Sequence, residues 1–194
     1  MVLFVYVDNS NVWIEGQRVS AVRKGMARSA WEAMEQDVLD REWQYDFGRL
    51  YELACPDEAV VGRSILFGSR PPPNDSLWER ARRDGFEIVV FDRSAGGREK
   101  RVDTALTVTL TEDSFTYMQP ARGDMAVIVA GDGDYVPAVE SLQRRGLGVR
   151  AVFWEHAVSR DLRRLVDEYV PLDPHLESLA ARRRARPSER EEAG

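Results

Sequence analysis

Short apolar runs separated by amphipathic or polar stretches constrain this chain more than any other feature. Val2–Val7, Val60–Phe67, Phe86–Phe91, Met125–Val129 and Val149–Phe153 are rich in Val, Ile and Phe. Strands of that kind are covered on both faces, as in a parallel sheet flanked by helices. Tyr169–Leu172 is a candidate edge strand. Helix signals fill the gaps. Ser29 and Glu32 form a capping box that opens a helix toward Trp43, and Asp46 caps one running through Ala54. Asn74 or Asp75 caps another through Asp84. Tyr135–Arg145 carries Val136, Val139 and Leu142 on one face and stops at Gly146, and Ser159 caps Arg160–Val166. The class is α/β, with a mostly parallel central sheet.

One segment resists this reading. Leu106-Thr107-Val108-Thr109-Leu110 alternates apolar and β-branched polar residues, which favours a strand. Val102, Ala105, Leu106 and Leu110 also mark one face of a helix. Periodicity alone leans toward the strand.

At 194 residues the chain suits one domain with a core large enough to fold without disulfides or metal clips. No apolar run reaches 18 residues, which excludes a membrane span. The opening segment lacks the basic and long apolar regions of a signal peptide. The single cysteine, Cys55, has no intrachain partner, which points to a reducing, cytoplasmic setting. Acidic residues outnumber basic ones by 33 to 27, a net charge of −6 that argues against a tight, non-specific nucleic-acid binder. The domain is expected to span 1–172, followed by a charged tail over 173–194. Arg182-Arg183-Arg184-Ala185-Arg186 in that tail reads either as a solvated end or as a basic arm for phosphates.

Carboxylates sit where an α/β sheet binds its ligands, outside the carboxyl ends of the strands. The first strand runs into Asp8-Asn9-Ser10-Asn11. The fourth runs into Ala130-Gly131-Asp132-Gly133-Asp134. Asp103 follows the loop that leaves the third strand. Each aspartate alone reads as a helix cap or turn former. Gathered on one sheet edge, they form an all-oxygen set suited to Mg²⁺ or Mn²⁺ and hence to phosphoryl-transfer chemistry. Arg93, Arg98, Lys100 and Arg101 stand near this edge, either as a solvated loop or as phosphate-holding groups, with Arg70 a weaker candidate. His156 and His175 belong to no triad and read as surface residues. Cys55 reads as a small buried hydrophobe. An aspartyl phosphohydrolase is disfavoured because Ser10 stands where an Asp-x-Asp would need its second acid.

Four elements in order resemble the NYN domains, specifically their LabA-like branch, within the PIN-like nuclease superfamily. Asp8-Asn9-Ser10-Asn11 resembles the family's Asp-x-x-Asn opening. Lys100-Arg101-Val102-Asp103-Thr104-Ala105-Leu106 is similar to its Lys-x-x-Asp-x-x-Leu element. Ala130-Gly131-Asp132-Gly133-Asp134-Tyr135-Val136-Pro137 is similar to Ser-Gly-Asp-Ser-Asp-Phe-x-Pro. Ser159-x-x-Leu162 with Asp167-Glu168-Tyr169 resembles the closing Ser-x-x-Leu…Asp-x-Phe. The resemblance implies a Rossmann-like three-layer α/β/α sandwich and a metal-dependent ribonuclease that leaves a 5′-phosphate and a 3′-hydroxyl. It implies Asp8, Asp103, Asp132 and Asp134 as catalytic, metal-binding positions for Mg²⁺ or Mn²⁺. Asn11 would orient Asp8 or touch substrate. Ser10, Arg98, Lys100, Arg101 and Ser159 are the other expected substrate contacts, with RNA as the partner. It also implies that the Lys100–Leu106 element opens a helix, against the periodicity.

Three departures stand out. Ala130 removes a polar contact, Gly133 is expected to loosen the loop between two aspartates, and a stretch near 19–43 is longer than the usual connection. That insertion reads as a lid, a dimerisation or partner-binding helix, or a substrate-selecting element. Trp31, Met34, Val38 and Trp43 within it favour packing over base stacking. The alternative to an enzyme is a non-catalytic RNA-binding or regulatory module on the same fold.

Overall fold

A computed structural model describes residues 1–56, 59–70, 76–92 and 100–181. Six strands run as expected: β1 (Val2–Asp8), β2 (Val60–Arg70), β3 (Glu87–Asp92), β4 (Met125–Val129), β5 (Gly148–Phe153) and β6 (Glu168–Pro171). All five pairings are parallel, in the order β3-β2-β1-β4-β5-β6. Alternating side chains of β1 feed two cores. Leu3, Val5 and Val7 face one layer, whereas Phe4 and Tyr6 face the other. This burial on both faces explains the unbroken apolar runs. The fold is a three-layer α/β/α sandwich.

Strand order reverses between β1 and β4, and such a switch point opens a crevice at the carboxyl edge. Asp8 ends β1, and Asp132 lies three residues beyond the end of β4. The topology therefore brings both acids to one place.

The ambiguous segment is helix α5 (Lys100–Thr116). Val102, Leu106 and Leu110 are buried against the sheet, and exposed Val108 projects away from it. The threonines alternate by sequence, but the core selects the 3.6-residue face.

Helix α1 (Asn9–Arg23) gave no apolar stripe in the sequence, because its buried positions include Glu15, Gln17 and Ser20. Polar partners stand in for hydrophobic ones. Ser20 donates to Asp40 at 2.6 Å, and Gln17 donates to the Trp43 carbonyl at 3.3 Å.

In the insertion, helix α2 covers only Ala30–Glu35 and does not continue to Trp43. Residues 36–46 return as irregular chain and bury Trp43 against Trp154, with ring centroids 5.8 Å apart. The expectation of packing holds for Trp43 but not for Trp31 or Met34, which are exposed.

Helices α3 (Phe47–Ala54) and α4 (Ser76–Arg83) follow the expected spans. So do α6 (Val136–Arg144) and α7 (Arg160–Leu165). Residues expected to open a charged tail pack instead. Leu176 and Leu179 of α8 (Leu176–Leu179) are buried, and Ala180 pairs with Tyr45. The basic run at 182–186 lies outside the described residues. No described helix is long and apolar enough to cross a membrane. Cys55 is buried and free, and burial pushes its thiol up to about 11, in keeping with a packing role.

Candidate active site

Asp8 is both the last residue of β1 and the N-cap of α1. Its Oδ1 accepts the Asn11 backbone N–H at 3.1 Å, while Asn11 Nδ2 lies 3.4 Å from Oδ2. The expected role of Asn11 in orienting Asp8 corresponds to this double contact. A short polar residue suits the cap because the first turn leaves backbone donors without partners.

Asp103 approaches from the first turn of α5, and Tyr135 from the turn after β4. The Tyr135 hydroxyl lies 3.0 Å from Asp103 Oδ1 and 3.2 Å from Asp8 Oδ2. Tyr135 is fully buried. Pattern reading assigns its ring no role beyond matching an aromatic place in the family pattern. Only its hydroxyl, absent from the phenylalanine of that pattern, could have drawn attention to it.

A cleft of about 290 Å³ opens over these groups, lined by Asp8, Ser10, Asn11, Asp103 and Asp132 among others. Asp132 is exposed, and its Oδ1 caps the following turn by accepting the Asp134 N–H at 3.0 Å. The turn after Gly133 is thus tied by a side chain rather than loosened. A Cβ on Gly133 would stand 3.2 Å from Ser159 Oγ, so Ser159 occupies the room that the family serine would need. Asp134 is exposed and does not line the cleft, although its charge reaches Asp103.

Burial dominates the electrostatics. It pushes the Asp8 carboxyl up to about 6, against the hydrogen bond from Asn11, and the charge of Asp103 adds to the rise. Asp103 is raised for the same first reason, with the charges of Asp132 and Asp134 contributing. Tyr135 is raised well above the usual phenol range by burial and by both carboxylates, so its hydroxyl stays protonated. That hydroxyl holds one proton for two acids.

The donor chemistry fits a hard divalent cation, since every acidic group is an oxygen ligand. Asp8, Asp103 and Asp132 share one cleft. Yet among the described residues no three acidic, histidine or cysteine side chains converge closely enough to hold an ion as they stand. The Tyr135 hydroxyl bridges two of the acids, and one oxygen of the third is engaged by its own turn.

The other expected contacts divide. Ser10 and Asn11 line the cleft; Ser159 packs beside Gly133 outside it. Arg101 is exposed on α5 and does not line it. Arg98 lies outside the described residues, and Lys100 is placed only as the first residue of α5. His156 is not a free surface residue: its Nε2 lies 2.8 Å from Glu15 Oε2, and its side chain is 16% exposed.

The sequence matches the NYN domain pattern over residues 9–173. The chain belongs to the NYN domain family. NYN domains are PIN-like, nuclease-type domains. No curated protein is significantly similar in sequence. In architecture, the NYN domain is similar to a protein of unknown function from Vibrio parahaemolyticus. The two share 18% identity over 93% of this chain and 96% of the other, with a TM-score of 0.65, a likeness of fold alone.

Proposed function

We propose that this NYN domain, read as one of the LabA-like branch, is a ribonuclease that hydrolyses RNA phosphodiester bonds with Mg²⁺ or Mn²⁺. The observation that carries the reading is the meeting of Asp8 and Asp103 at one buried hydroxyl, in a cleft shared with Asp132 at the sheet's switch point. Asp8, Asp103 and Asp132 would hold the cation, with Asp134 contributing charge from the rim. When bound, the cation supplies a lowered water pKa and neutralises charge on the phosphate. Asn11 holds Asp8 in register, and Tyr135 keeps Asp8 and Asp103 together. Ser10 is placed to donate to a phosphate oxygen. The products would carry a 5′-phosphate and a 3′-hydroxyl, and a reducing, cytoplasmic setting suits the free Cys55. The exposed Trp31 and Met34 support a role for the insertion as a surface for a second copy or a protein partner.

The test is cleavage of labelled RNA in Mn²⁺ by the wild type and by Asp132→Asn. Metal-dependent cleavage lost in the variant supports the reading; equal activity in both sinks it. One observation favours a second reading, a non-catalytic RNA-binding module: Asp134 stands apart from the cleft. RNA binding indifferent to EDTA, with no cleavage on long incubation, would select that reading.

A further inference from the structure

An acidic cleft repels the phosphates it is meant to receive, so a cation fixed in its wall matters to substrate. Among the described residues, Arg18 is the one Lys or Arg side chain that lines this cleft. It sits seven residues beyond Asn11 on α1, and Ile14, Glu15 and Arg18 continue the face that Asn11 begins. Helical rise places Arg18 on the order of 10 Å from Asn11 along the axis. That places it farther along the cleft wall than Asn11, where a phosphate flanking the reacting one would lie.

The guanidinium is held from behind. Its Nη1 pairs with Glu15 Oε1, and the other Glu15 oxygen takes the contact from His156 Nε2. Burial works against the charge on Glu15, yet hydrogen bonds from His156 and Arg18 keep its carboxyl below the usual glutamate range. The arginine side chain is 15% exposed, and its Nε has no acceptor among the described residues. A buried donor without a partner is costly, so the guanidinium carries hydrogen-bonding capacity that the pair with Glu15 leaves unused. Arginine offers a planar fork to phosphate, and a side chain already ordered by Glu15 loses less entropy on binding.

We propose that Arg18, positioned by Glu15 and His156, binds an RNA phosphate flanking the scissile one and guides the strand along α1 into the acidic cleft. The proposal rests on the ribonuclease reading but is tested by binding. Fluorescence anisotropy with a labelled single-stranded oligoribonucleotide would be read in Mg²⁺ across a salt series. An Asp132→Asn background keeps the RNA intact. Arg18→Gln should weaken binding about tenfold and flatten the slope of log affinity against log salt by about 0.7, one phosphate contact. Arg18→Lys should keep the slope while recovering part of the affinity. Arg23→Gln, exposed on the same helix, should change neither. Thermal melting of each variant separates misfolding from lost contact, and if Arg18→Gln melts early, the Arg18→Lys slope decides. Unchanged affinity and slope in Arg18→Gln, an equal loss in Arg23→Gln, or absence of RNA binding in the background protein would each overturn the assignment. Wild-type cleavage in Mn²⁺ judges the ribonuclease reading separately.

Discussion

Asp8 and Asp103 meet at a single oxygen, the hydroxyl of Tyr135, which lies 3.2 Å from one and 3.0 Å from the other. The acids come from a strand end and a helix start that are 95 positions apart in the chain, and the tyrosine from a third element. Tyr135 is thus a positioning residue for two proposed metal ligands. Tyr135→Phe keeps the ring in the core but leaves one buried and one half-buried carboxyl without their shared donor. Mn²⁺ affinity, read by calorimetry, should fall about 10–100-fold, the usual effect of losing an outer partner of a ligand. Unchanged affinity would show that the helix start and strand end alone fix the acids.

Burial of Asp8 also sets a pH dependence. Its folded value of about 6 lies above the ordinary 3.8, so the folded state binds that proton more tightly than the unfolded state. The resulting stabilisation is complete below about pH 4 and is lost as pH rises through about 6. Metal-free wild type should therefore lose stability relative to Asp8→Asn over that window, on the order of 2 kcal/mol. Urea unfolding of both proteins between pH 4 and 7.5, in EDTA, checks the sign. Taking the difference between the two proteins cancels groups that act oppositely, such as Asp124, which Arg122 holds below the usual range.

Asp132 and Asp134 should separate in a metal titration. Asp132 lines the cleft, whereas Asp134 acts on Asp103 only through its charge. Asp132→Asn should weaken Mn²⁺ binding on the order of a hundredfold, and Asp134→Asn by about tenfold or less. The smaller effect should shrink further in high salt. Equal losses would show that the turn rearranges to bring both acids to the ion.

Sequence reasoning reached the strands because both faces of each are buried, so hydrophobicity alone marks them. It reached Asp8 and Asp132 because the carboxyl edge of a parallel sheet is where loops carry ligands. Helix α1 was illegible for the opposite reason: its buried face is made of Glu15, Gln17 and Ser20, whose partners are distant in sequence. Arg18 was missed with it, and His156 was read as a surface residue, since neither has a local motif that points to Glu15. Helix α5 was decided by the resemblance and not by periodicity, because β-branched threonines occupy its outer face. Trp31 misled in the insertion, where a short helix exposes what an apolar count assigns to the core.

Two glycines near the site should respond differently to alanine. A Cβ on Gly131 would stand 2.1 Å from Phe153 Cδ1 and 2.9 Å from the Ala157 carbonyl oxygen. Phe153 is fully buried, and the Gly131 carbonyl accepts the Ser159 N–H at 2.8 Å, so neither neighbour can withdraw freely. Gly131→Ala should cost about 1–3 kcal/mol or more in urea unfolding, and by displacing the turn it should also weaken Mn²⁺ binding at Asp132. At Gly133 the nearest atom is the Ser159 hydroxyl, 3.2 Å away, the end of a rotatable side chain. Gly133→Ala should therefore change stability by about 0.5 kcal/mol or less. If Gly133→Ala proved as costly as Gly131→Ala, Ser159 would have to be held rigidly in place. The cation site would then depend on α7 as well as on β1, β4 and α5.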